Sequence, residues 1–261
     1  MISDDNRSDG SCRPTRPSGT QGQKMIRIEI KRRAQADARP YIQTFQYEPE
    51  GPADTVATAL TRLNARERLE DEKGEPADPI RWECSCLQKK CGACAMVING
   101  IPGLACNAPI REYKRLIRLE PLRKFPVVSD LIVDRTVMMH NLSQMRVWLS
   151  ENAKLNEKAV DVGYEGSRCL QCGLCLEVCP NFDPEGKFAG MAAAIPMTRL
   201  LAEMDPGERP AAAKNYRSRV FEGCGKSLAC RDVCPAGIEI GELLARSNAA
   251  AVWNRWIRKK D

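Results

Sequence analysis

The chain has 261 residues, which allows one or two domains. Its formal charge of +6 is modest, and its Lys and Arg are interleaved with Asp and Glu, which excludes the basic stripe of a nucleic-acid-binding protein. Hydrophobic residues make up 43% but aromatics only 5%, and no apolar run approaches the roughly 18 residues that mark a membrane-spanning helix.

Residues 1–24 are rich in Ser, Gly, Asp, Arg and Pro and read as a disordered extension, with Cys12 an incidental thiol. They show no apolar core of a signal peptide, and the pair Arg32-Arg33 is followed by polar residues, unlike a twin-arginine signal. From Met25 to Lys31 apolar and charged residues alternate, the period of a strand, and Ile42–Tyr47 is placed to pair with it as a hairpin. Val56, Leu60 and Leu63 then recur at helical spacing, with Asp54 or Thr55 as the cap. Short strands are expected at Ala95–Ile98 and Leu116–Leu119. Strand, strand, helix, metal loop, strand, strand makes a small α+β domain over 25–130.

Pro121 and Pro126 bracket a connector. Beyond it the pattern is helical, over Leu131–Leu149, Gly190–Met204 and Ile238–Trp256, so a second, α-helical domain is expected over 131–261. The chain closes on a basic run (Trp253, Arg255, Trp256, Arg258, Lys259, Lys260) that reads as a solvated helix end.

The cysteines carry the chemistry. Eleven of thirteen fall into three spaced groups. Cys86-x4-Cys91-x2-Cys94-x11-Cys106 has the plant-type spacing of a [2Fe–2S] site, and Gly92 and Ala93 keep its loop small. Cys84 is a poor fit to that spacing and reads as a spare thiol. Cys169-x2-Cys172-x2-Cys175-x3-Cys179-Pro180 is the bacterial ferredoxin run, in which the fourth cysteine crosses to the other cluster. Cys224-x5-Cys230-x3-Cys234-Pro235 repeats it with Ser227 where a cysteine would stand. Crossing then assigns Cys169, Cys172, Cys175 and Cys234 to a [4Fe–4S] centre. It leaves Cys179, Cys224 and Cys230, three thiolates, for a [3Fe–4S] centre, or for a four-iron centre completed by an oxygen ligand. Ligation free energy is also folding free energy, so a metal-free chain is expected to fold poorly. His140 is the only histidine, which excludes a Rieske centre, and it reads as a packing or surface residue. No G-x-G-x-x-G fingerprint and no nucleophile–His–Asp set is present. The chain offers a route for electrons and no place to convert an organic substrate.

With all eleven motif cysteines in register, the chain resembles the iron–sulfur subunit of succinate dehydrogenase and fumarate reductase over about residues 25–250. The run from Cys91 to Cys106 (CGACAMVINGIPGLAC), the connector FPVVSDLIVD over 125–134 and both Cys-Pro closures support the likeness. The resemblance implies a β-grasp [2Fe–2S] ferredoxin-like domain followed by an α-helical ferredoxin-like domain holding two clusters. It implies a FAD-containing flavoprotein partner and a membrane anchor that handles quinone, often with haem b. This chain would lie between them, peripheral at the cytoplasmic face of the cell membrane, in a succinate:quinone or quinol:fumarate oxidoreductase. Many members place a His directly after the cysteine matching Cys224 and a Trp shortly after the one matching Cys179. Here Gly225 and Asn181-Phe182 stand instead, so that quinone geometry does not carry over. Two other readings compete: an iron–sulfur subunit serving a different flavoprotein or a thiol partner, and a zinc-stapled interaction module.

Overall fold

The structure, a computed structural model, describes residues 25–150, 152, 160–205 and 207–253. The expected disorder over 1–24 and most of the terminal basic run lie outside the described residues.

Alternation along the first segments makes strands β1 (Ile26–Arg32) and β2 (Tyr41–Tyr47), antiparallel with Ile28 opposite Phe45. Ile28, Ile30 and Phe45 are fully buried on one face. Helix α1 (Val56–Asn64) starts at Thr55: the Thr55 hydroxyl accepts from Thr58 N–H and Thr58 answers at Thr55 N–H, a capping box that satisfies two end donors. Its Val56, Leu60 and Leu63 join the same core. β3 (Ala95–Ile98), β4 (Ile101–Leu104) and β5 (Leu116–Glu120) complete a five-stranded sheet in the order β2-β1-β5-β3-β4. β1 and β5 are parallel and the other neighbours antiparallel. β4 was not expected because it contains Pro102 and Gly103. It lies on the sheet edge, where a missing N–H costs little.

The expected helix over Leu131–Leu149 begins later. Residues 127–133 form a hairpin, β6 (Val127–Ser129) and β7 (Ile132–Val133), and helix α2 spans only Thr136–Met145. Asp130, in the left-handed region at φ 45°, turns this hairpin, and its carboxylate accepts from Arg33 and Arg81 N–H at 2.9 and 3.0 Å. Arg32 Nε lies 3.0 Å from Asp130 Oδ1, an ion pair without the alignment of a hydrogen bond, and both side chains are almost fully buried. The other Arg32 nitrogens reach Gln43 Oε1 and the carbonyls of Asp78 and Pro79. These long-range bonds win over a helical apolar spacing and pin the hairpin to the sheet. The expected division near residue 130 falls inside it.

The helical part holds α3 (Val160–Ser167), α4 (Leu174–Glu177), α5 (Met191–Glu203), α6 (Arg209–Tyr216), α7 (Ala229–Asp232) and α8 (Ile240–Asn248). α6 and α8 each run on into a wider π-type turn, at Arg217–Phe221 and Ala249–Trp253. The expected last helix, Ile238–Trp256, is therefore an α-helix only over Ile240–Asn248, and residues 254–256 lie outside the described residues. Buried polar pairs, Thr198 with Ser247 at 2.6 Å and Tyr216 with Asn248 at 2.8 Å, tie α5 and α6 to α8. Among the described residues no helix is long and apolar enough to cross a membrane.

Candidate metal centres

The first thiol group lies on the loop between α1 and β3, with Cys106 joining it from the short turn after β4. Its loop needs unusual backbone: Leu87 and Lys89 have φ of 53° and 59°, and Gly92 has 76°. Those turns aim N–H groups inward. Gln88 and Lys90 donate to Cys86 Sγ and Lys89 to Cys106 Sγ, each at 3.3 Å. The Gln88 and Lys90 N–H groups and the Cys91 thiol draw the Cys86 thiol down to about 7. Cys94 is its opposite: burial, then the neighbouring Cys106 and Cys91, push it up to about 12. Cys86, Cys91, Cys94 and Cys106 thus face one another. Arg135 supports the loop from behind, donating to Ala93 O at 3.1 Å and Glu83 Oε2 at 2.8 Å. Cys84 is exposed beside this set.

Cys169, Cys172, Cys175 and Cys234 line a second cavity, closed by Ala192, Ile195, Ile238 and Ile240. Burial raises all of Cys169, Cys172 and Cys175, and the neighbouring thiols, Cys234 among them, add to it. Cys172 rises to about 11. The run that carries the first three is positioned by Gln171. Its Nε2 donates to Cys169 Sγ at 3.3 Å and to Ala192 O at 2.8 Å. That carbonyl is free because Pro196, four residues on within α5, has no N–H to give it. Gln171 was missed from sequence; the proline inside a helical pattern was the signal. On the other side Arg168 bridges Glu165 (2.7 Å) and the carbonyl of Ala236, joining the two segments that supply this set.

Cys179, Cys224 and Cys230 form the third set. Burial, then Cys179 and Cys224, push Cys230 up to about 11. Ser227 is exposed, on a loop where Lys226 and Leu228 both take left-handed conformations. Asn181, after Cys179-Pro180, donates to Gly223 O at 2.9 Å and packs against Gly225, so its amide fills the space beside Cys224. His140 is exposed on α2, against Gln144.

The three sets lie in series. A Cβ on Gly92 would sit 2.7 Å from the Cys172 Cβ, so the first loop presses its bare backbone on the second set. Cys175 of the second set senses Cys230 of the third. Among the described residues every cysteine is a free thiol, and no three His, Cys, Asp or Glu groups are arranged to hold a single metal ion. All-sulfur sets spread around a cavity, with amide donors aimed at the sulfurs, fit iron–sulfur clusters.

Comparison with known proteins agrees. Residues 27–140 match the family described as 2Fe-2S iron-sulfur cluster binding domain, and residues 165–238 match the 4Fe-4S dicluster domain. The succinate dehydrogenase iron–sulfur subunit of Bacillus subtilis is 37% identical, covering 87% of this chain and 92% of its own length. The fumarate reductase iron–sulfur subunit of Escherichia coli O6:H1 is 26% identical over 83% and 88%. The fold is shared with a chain of the Mycobacterium smegmatis Sdh1 complex in the apo form, at TM-score 0.69 and 20% identity, over 92% of this chain and 98% of that one. The zinc-stapled reading finds no support, since both matched families bind iron–sulfur clusters. The chain belongs to the family of succinate dehydrogenase and fumarate reductase iron–sulfur subunits.

Proposed function

We propose that this chain is the electron-transfer subunit of a succinate dehydrogenase or fumarate reductase complex, working between the FAD of a flavoprotein subunit and quinone at a membrane anchor. The observation that carries this is the serial arrangement of three thiol sets, with Gly92 against Cys172 and Cys175 within the electrostatic influence of Cys230. Cys86, Cys91, Cys94 and Cys106 would hold [2Fe–2S]; Cys169, Cys172, Cys175 and Cys234 would hold [4Fe–4S]; Cys179, Cys224 and Cys230 would hold [3Fe–4S]. Such clusters take up and release single electrons. The chain contributes position and environment. Its inward N–H groups stabilise negative charge at the first set, and buried Ile238, Ile240 and Ala192 keep water from the second. The [2Fe–2S] unit would run over 25–130 and the two-cluster unit over 131–261, with the β6–β7 hairpin at the join. The subunit is peripheral, at the cytoplasmic face of the cell membrane, a reducing setting that suits thiolate ligands.

Anaerobic purification with its partners, followed by iron and acid-labile sulfide analysis, tests this. Three EPR-distinct centres are expected, and a zinc-only protein sinks the reading. Ser227→Cys is expected to convert the oxidised three-iron signal into a four-iron one. Absence of the oxidised three-iron signal from the wild-type complex would remove the three-thiolate assignment.

A further inference from the structure

Lys124 occupies an unusual place for a cation. It follows β5 in the connector and is half-buried. Its Nζ donates to the carbonyls of Cys179 and of Phe182, the latter at 2.9 Å, and lies 6.0 Å from the centre of the Phe182 ring. Its backbone N–H donates to the buried carboxylate of Glu177 at 3.0 Å. The next residue, Phe125, packs its ring 6.4 Å from that of Phe182. The connector is therefore fastened to the chain on both sides of Cys179. Among the described residues no carboxylate pairs with the Lys124 ammonium itself, which two carbonyls and the Phe182 ring hold.

A half-buried cation without a counter-ion is costly unless negative charge lies near. The Glu177 carboxylate, held at the Lys124 backbone N–H, is one such charge, and the third thiol set, whose Cys179 carries the carbonyl that Lys124 grips, is a place for another. We propose that Lys124 is a positioning residue for that set: it fixes the Cys179 backbone and supplies the positive charge that favours the reduced state of the centre held by Cys179, Cys224 and Cys230. This rests on the function proposed above. An electron added there adds one negative charge, and a fixed cation in a medium of low dielectric lowers its energy. Glu177 has the opposite sign. It is held at the backbone N–H of Lys124 and not at the ammonium, so neutralising Lys124 alone leaves its charge in place.

The experiment uses the purified complex with flavoprotein and anchor, and EPR-monitored redox titration. K124M is expected to raise the oxidised-to-reduced ratio of the three-iron centre about tenfold at fixed ambient potential, a fall of about 59 mV for one electron. The [2Fe–2S] centre should not move, and K124R should titrate like wild type. If K124M fails to assemble, K124Q keeps an N–H donor for the carbonyls and should show the same fall. Unchanged titration in K124M or K124Q, or an equal fall in K124R, overturns the proposal. Absence of a three-iron signal from the wild-type complex instead overturns the functional reading and this inference with it.

Discussion

In the sheet region N–H donors draw Cys86 down to about 7 although burial pushes Cys94 up to about 12, whereas in the helical region burial pushes both Cys172 and Cys230 up to about 11. The sheet region has a core of its own, with Ile28, Ile30, Phe45, Leu60 and Ile117 fully buried, and of its four ligand thiols only Cys94 reaches that core. In the helical region Cys172 and Cys230 are themselves buried core, and α4 and α7, next to them, are single turns. Turns that short have little stability in isolation. The sheet region is therefore expected to keep its core without metal. The helical region is expected to depend on its metal, because the ligands Cys172 and Cys230 are part of its core.

Iron removal should break this contrast most visibly. In an anaerobic chelator series followed by hydrogen exchange, amides of 160–250 are expected to lose protection while those of β1, β2 and β5 keep theirs. Uniform loss would show that the two regions fold as one. At single residues, Cys234→Ser is expected to abolish the [4Fe–4S] signal and loosen the helical region, although it lies in the third motif. Cys106→Ser should abolish only the [2Fe–2S] signal and leave the thermal midpoint nearly unchanged. Loss of only the three-iron signal in Cys234→Ser would refute the crossed assignment.

Within the sheet region the largest cost is expected from Arg32→Met, which strands the buried Asp130 carboxylate. About 3–5 kcal/mol should be lost in urea unfolding, with the hairpin β6–β7 released from the sheet. A smaller effect concerns Asp54. Burial works to raise its carboxyl, but bonds from Tyr47 OH (2.6 Å), Glu50 N–H (2.9 Å) and Arg62 (2.7 Å) prevail and hold it below the usual range. A depressed folded value gives stability that is present above the unfolded value, near 4, and is lost as pH falls through the folded one. Asp54→Asn should therefore cost about 2 kcal/mol at pH 7 and flatten acid unfolding of the sheet region below about pH 4. A variant that unfolds in acid like wild type would show that Asp54 has no part in it.

The legible parts of the sequence were those fixed by local pattern. β1, β2, β3, β5, α1 and α5 follow from alternation, helical spacing and the Thr55 cap. The three thiol sets follow from spacing, because a metal loop must bring its ligands round within a few residues. Hidden were features decided by distant partners. Val133 and Val137 have helical spacing, yet Asp130 and Arg32, nearly a hundred residues apart, draw Val133 into a hairpin. Lys124 reads as one more connector lysine until Cys179 and Phe182 are seen above it. Gln171 gains its meaning from a carbonyl freed by Pro196 in another helix.

Gly92 sets a final condition. With a left-handed backbone and Cys172 pressed against its missing side chain, it makes the seam between the halves a matched fit at one position. Hybrids that graft the amino-terminal unit of one relative onto the carboxy-terminal unit of another should succeed only where this seam is inherited intact, so the halves are bound to evolve as a pair.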